Sequence, residues 1–265
     1  MTSARDQRPY NVAYYARNRN AEIERVTRRQ RATLGWLRDL RRVPCMDCGG
    51  IFPPHVMDFD HRDPKTKSFS LGAGKSLLKN RTVLESEIVK CDIVCANCHR
   101  QRTHAAFMRG EMRPESFRRK ADRDLVGDAR DREKWRRIRT AQADLLRVLR
   151  EQPCMDCGKT YPWFVMEFDH RDPSNKSDRV PFMAGRASLK RLLEEVAKCD
   201  IVCATCHRDR TFHRRECRDG SCARVWCSGY ARDPSKIEGR VRFPLPAPDT
   251  LRSIEESATP YRSTA

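Results

Sequence analysis

Four Cys-x-x-Cys pairs constrain this chain more than anything else in it: Cys45/Cys48 and Cys95/Cys98, then Cys154/Cys157 and Cys203/Cys206. One such pair occupies a tight turn, and two pairs about fifty residues apart can close four thiolates around a tetrahedral zinc with no open position. The set then recurs, 109 residues on at Cys45 and Cys154 and 108 residues on at Cys95 and Cys203, so one residue has been lost from the loop between. This is a tandem duplication of a zinc-built module. Each module has about sixty residues and a marginal core, so the metal supplies much of its folding free energy. Only 38% of the 265 residues are hydrophobic, which favours two small modules over one large core. The expected fold class is α+β.

Between the cysteine pairs lies a second repeated set. Phe59-Asp60-His61-Arg62-Asp63-Pro64 returns as Phe168-Asp169-His170-Arg171-Asp172-Pro173, and Cys-Asp-Ile-Val-Cys at 91–95 returns at 199–203. Met57 to Asp60 alternates apolar and polar residues, the period of a half-buried strand ending at His61. Residues 65–74 read as loop. A short helix follows with Leu84 and Ile88 on one face, and its partner shows Leu189, Leu192, Leu193 and Val196 at the i, i+3, i+4, i+7 spacing. Cys91 to Val94 reads as a second strand, and the chain turns helical from Asn97, which places His99 in a first helical turn. Cys91 and Cys199 are surplus to complete four-thiolate sites and read as buried strand residues.

The modules, 43–104 and 154–213, are nearly neutral, whereas the net charge of the whole chain is +18. Residues 1–42 contribute +7 and residues 105–153 contribute +5. The expectation is a basic helical arm ahead of each module, running from about Asn20 to Arg42 in the first and from Glu133 to Gln152 in the second. Leu34, Leu37 and Leu40 would face inwards in one, and Leu145, Leu146 and Leu149 in the other. Such a charge balance points to a polyanion, nucleic acid ahead of an anionic membrane. No apolar run is long enough to span a bilayer and the Arg-rich start lacks the apolar stretch of a secretory signal, so a cytoplasmic protein is expected. Residues 214–265, with Cys217, Cys222 and Cys227, read as a largely disordered tail without an assigned role.

Asp60, His61 and His99, repeated as Asp169, His170 and His207, are required neither by a closed zinc nor by a core. On these residues, with Asp-His after a strand and Cys-x-x-Cys-His opening a helix, the chain resembles the HNH endonucleases over residues 45–104 and again over 154–213. The arms resemble basic segments found before this module in small phage and bacterial nucleases. The resemblance implies two ββα-metal modules in tandem and a DNA endonuclease that hydrolyses phosphodiesters in double-stranded DNA. It implies a divalent cation such as Mg²⁺ or Mn²⁺ at each active site, held by Asp60 with His99 and by Asp169 with His207, besides the two structural zincs. It makes His61 and His170 the general bases, a role suited to an imidazole of ordinary pKa near 6.5. The family's middle Asn is replaced by Lys90 and Lys198, which either alter the positioning of the base or contact phosphate. Arg100, Arg102, Arg208 and Arg210 lie beside the expected metal, where they hold phosphate or form a solvated face. The alternative function is a non-catalytic, zinc-stabilised nucleic-acid-binding protein. The sequence assigns no oligomeric state and no membrane partner.

Overall fold

The fold is taken from a computed structural model, which describes residues 7–72, 74–111 and 129–218. The chain divides into two compact units with the boundary between His99 and Arg100.

The first unit opens with helix α1, Gln7–Leu40. It begins well before Asn20, because Pro9 sits in the first turn, where an absent N–H costs no hydrogen bond. Leu37 is fully buried, while Leu34 is 38% exposed and Leu40 only half-buried. Leucines three apart step about 300° around a helix and miss a common face by roughly 60°, so only the central one points fully inwards. Strand β1 (Met57–His61) and strand β2 (Cys91–Cys95) form an antiparallel pair, with Asp60 opposite Asp92 and His61 opposite Cys91. Helix α2, Arg81–Ile88, lies between them, capped by the Asn80 side chain accepting from the Val83 amide at 2.9 Å. Leu84 faces the core as expected, but the buried residue one turn on is Glu87 rather than Ile88. Helix α3, Ala96–Met108, follows β2 without a break and carries Cys98 and His99 in its first turn.

The second unit repeats the plan, with helix α4 (Ala129–Leu149), strand β3 (Met166–His170), the short α5 (Val180–Met183), helix α6 (Leu189–Val196), strand β4 (Cys199–Cys203) and helix α7 (Ala204–Arg218). Strands β3 and β4 pair in the same antiparallel register, Asp169 opposite Asp200 and His170 opposite Cys199. Leu145, Leu146 and Leu149 of α4 are buried against Val165, Met166, Leu192, Val196 and Ile201. Each such side chain contributes about 1.5–3 kcal/mol on burial. The second arm is therefore also a core element of its module. Buried Gln142 fixes its seat, donating to the Ala187 carbonyl at 3.1 Å and accepting from the Gly185 amide at 2.7 Å.

Helix α7 runs on to Arg218, so Arg214 belongs to the second module and not to the tail that a boundary at 213 would assign it to. The rest of the expected tail from residue 219, including Cys222 and Cys227, and residues 112–128 of the second arm lie outside the described residues.

Candidate functional site

Each module gathers its four cysteines as expected. The sulfurs of Cys45, Cys48, Cys95 and Cys98 lie within 4.8 Å of one another, and so do those of Cys154, Cys157, Cys203 and Cys206. Four thiolates on a zinc at about 2.3 Å are roughly 3.8 Å apart, so each group can hold one ion. Among the described residues these are the two groups of three or more His, Cys, Asp or Glu within such reach. The knuckle closes through the Gly49 amide donating to the Cys45 carbonyl at 2.8 Å, with Gly49 at φ +66°, a conformation that a side chain would strain. Gly158 does the same at φ +69°. Burial opposes ionisation of Cys45, but the amides of Cys48, Cys95 and Asp47 point at its sulfur and outweigh it, bringing the thiol to about 7. Cys91 and Cys199 stay outside both groups, and burial, the larger cause in each, pushes their thiols up to about 11 and about 12.

The Asp-His-Arg-Asp-Pro stretch works residue by residue. The pleat of β1 sends Asp58 and Asp60 to one face and Met57, Phe59 and His61 to the other. Arg62 donates to the carbonyls of Val89 and, at 3.1 Å, Cys91, so it ties the end of α2 to the start of β2. The Asp63 carboxylate accepts from the Lys65 amide at 2.9 Å and caps the turn that Pro64 opens. Arg171 and Asp172 repeat both contacts in the second module.

On one face of the strand, His99 of α3 meets the two aspartates. Its Nδ1 lies 2.7 Å from Asp58 Oδ2, and its Nε2 lies 3.4 Å from Asp60 Oδ1. A carboxylate accepts only, so a neutral imidazole places its proton on Nδ1 and presents the Nε2 lone pair beside Asp60. Two donors about 2.1 Å from one cation and roughly at right angles around it would be about 3 Å apart, close to this separation. Asp58 thus orients the His99 ring from behind, as an outer carboxylate does for a histidine at a metal site. Glu167 takes the same role towards His207 Nδ1, and His207 Nε2 lies 3.4 Å from Asp169 Oδ1. Neither Asp58 nor Glu167 stands out in a reading of the sequence, although an acid recurs at both positions two residues before the Asp of Asp-His.

On the other face, His61 is tied to Glu87, with 2.8 Å from Nε2 to Oε1 and only 7% and 2% of the two side chains exposed. Glu87 also accepts from the Ser68 amide at 2.7 Å and from Lys90 Nζ at 2.7 Å. Burial, the largest influence on Glu87, opposes its charge, yet the hydrogen bonds from Lys90, His61 and the loop amides outweigh it and hold the carboxyl far below the ordinary carboxylate range. Facing an ionised acceptor, a neutral imidazole at His61 places its proton on Nε2 and keeps its lone pair on Nδ1. In the second module His170 and Glu195 stand 2.8 Å apart, and Lys198 reaches Glu195 at 2.7 Å. The two glutamates escape a sequence reading because an acid on a short helix reads as solvated. Their signal is recurrence at the repeat spacing with a Lys three residues later.

Two expectations need correction. Lys90 does not present its ammonium to solvent for phosphate, because its donors go to the Thr66 carbonyl at 3.1 Å, Ser68 Oγ at 3.2 Å and Glu87 at 2.7 Å. Lys198 repeats this with Asn175, Ser177 and Glu195. Three bonds exhaust an ammonium, so these lysines tie the loop after the first strand of each module to the glutamate. Nor does Arg210 lie on a solvated face. It is 6% exposed and binds Asp156 through Nε and Nη2 at 2.7 and 2.6 Å, and through Nη1 both Asp169 and Asp200 at 2.9 Å. Arg100 is exposed, while Arg102 and Arg208 are half-buried.

No protein-family model matches the chain, and no curated protein or solved structure matches it either.

Proposed function

We propose that the protein is a metal-dependent DNA endonuclease of the HNH type, acting on double-stranded DNA. The observation that carries this reading is the first module's placement of His99 Nε2 beside Asp60, with Asp58 behind the imidazole and His61 next to Asp60 in the chain. Asp60 and His99 would hold a divalent cation such as Mg²⁺ or Mn²⁺, an ion that accepts one or two protein ligands and keeps several waters. When bound it supplies positive charge to the scissile phosphate and to the departing 3′ oxygen. Glu87 fixes the tautomer of His61, which leaves Nδ1 to accept the proton of the attacking water. The orienting role that an Asn fills in the family falls here to Glu87, steadied by Lys90.

Binding of the duplex is assigned to the arms. Arg17, Arg19, Arg25, Arg28, Arg29 and Arg31 are exposed along α1, and contacts of this kind act through phosphates with little reading of base sequence. Among the described residues no helix is long and apolar enough to cross a membrane. A cytoplasmic setting is part of the proposal.

The test is supercoiled plasmid incubated with the zinc-loaded protein and Mg²⁺ or Mn²⁺. Cleavage that needs the added cation and is lost in the His61→Ala/His170→Ala double variant is expected. Cleavage undiminished in the double variant would overturn the mechanism.

A further inference from the structure

One difference between the two modules lies against the candidate metal ligand Asp169. Arg214 of α7 lays its guanidinium fork on Asp169, with Nη1 2.7 Å from Oδ1 and Nη2 2.9 Å from Oδ2, and Nη2 also donates to the His170 carbonyl at 3.1 Å. Arg210 Nη1 adds a further bond to Asp169 Oδ2 at 2.9 Å. Both oxygens of a carboxylate that is only 3% exposed are thus engaged by arginine. At the repeat spacing Arg210 corresponds to Arg102, so an arginine stands at this position in both modules. Arg214 corresponds to Ala106, whose methyl group carries neither charge nor donor.

We propose that Arg214 takes the place of the divalent cation in the second module, so that exchangeable metal binds only at Asp60 and His99. Three features support this. The fork reaches Asp169 Oδ1, the oxygen that also faces His207 Nε2 at 3.4 Å, so it stands where a shared cation would approach. A guanidinium is permanently charged, and a dication brought to the same carboxylate would be repelled by it. The bidentate geometry and the added bond to the strand's own carbonyl make the contact part of the folded module rather than a loose surface pair. The second module then keeps its zinc, its hairpin and its His170–Glu195 pair, but not the Lewis acid. The inference rests on the metal-centre reading of the first module.

The experiment counts exchangeable Mn²⁺ on the full-length, zinc-loaded protein by electron paramagnetic resonance, with zinc content as the check on folding. One Mn²⁺ per chain is expected for the unaltered protein, none for Asp60→Asn, two for Arg214→Ala or Arg214→Gln, and none for Ala106→Arg, each with two zincs retained. Two equivalent Mn²⁺ ions in the unaltered protein would overturn the proposal alone. So would a count that stays at one in both Arg214 variants with zinc intact. If neither the unaltered protein nor the Arg214 variants bound Mn²⁺, the metal-centre reading would fall and the proposal with it.

Discussion

Replacing Glu195 with Gln tests whether a buried charge organises the His170 ring and the loop after β3. The carboxylate is 3% exposed and accepts from Lys198 at 2.7 Å, His170 at 2.8 Å, the Ser177 amide at 2.8 Å and, more weakly, the Asp178 amide at 3.3 Å. Gln keeps the size and one acceptor oxygen but turns an NH₂ group towards donors. Hydrogen bonds to a charged group contribute about 1.5–3 kcal/mol each. Losing two would cost about 3–6 kcal/mol, but Lys198 is 38% exposed and can regain water, which reduces the expected loss to about 2–3 kcal/mol. For a module of this size that lowers the melting temperature by roughly 10–20 °C. Urea unfolding followed by circular dichroism should show one transition displaced and the other unmoved. Burial raises the carboxyl's pKa, yet the bonds from Lys198, His170 and the two amides bring it down from 4.5 to about 2. A folded-state pKa below the unfolded one stabilises above about pH 4.5 and loses that contribution as pH falls through about 2. The difference between the two proteins should therefore be constant from pH 5 to 8 and shrink below pH 4.5, the zinc thiolates being common to both. A variant within about 0.5 kcal/mol of the original at pH 7 would refute the reasoning.

The zinc sites predict that Cys48→Ser or Cys157→Ser halves the bound zinc and unfolds the module concerned, read by metal analysis and loss of circular dichroism. Asp58→Asn should weaken Mn²⁺ binding about 10–100-fold without changing zinc content, because it frees the His99 ring from its orienting partner; unchanged Mn²⁺ affinity would remove Asp58 from the site. Deleting residues 1–30 should lower duplex affinity and flatten its dependence on salt, and an unchanged salt slope would show that the first arm does not contact phosphate.

Much of this architecture is legible because a few residues admit few arrangements. Cysteine spacing announces the knuckles, and the alternation of Met57 to Asp60 places β1 and, by repetition, β3. The buried acids are illegible for a physical reason. Glu87 and Glu195 sit at helical positions where a charge ordinarily faces water, and only the tertiary fold supplies the histidine, lysine and amides that make burial tolerable. Lys90 misleads in the complementary way, since a lysine just before Cys-x-x-x-Cys-x-x-Cys-His reads as a phosphate contact while its partner Glu87 is three residues upstream. Arg214 is hidden by the repeat itself, because comparing the modules directs attention to what they share, and its counterpart is Ala106.

That position bears on function through the charge balance of the hairpin. In both modules an aspartate of the first strand faces an aspartate of the second, Asp60 across from Asp92 and Asp169 across from Asp200. Like charges directly opposite repel, so the ladder calls for positive charge before any activity is considered. Arg210 answers by donating to Asp169 and Asp200 at once, and Arg62 and Arg171 reach Asp92 at 3.1 Å and Asp200 at 3.3 Å. For the strand, a guanidinium and a metal ion are nearly equivalent remedies. For a phosphodiester they are not, since a guanidinium offers hydrogen bonds of fixed direction but no open coordination position for a phosphate oxygen or a water. Under the proposed reading a duplicated module could therefore exchange its cation for an arginine, keep its stability and lose the Lewis acid, and with Ala106 in place of an arginine the first module would be the one suited to hydrolysis.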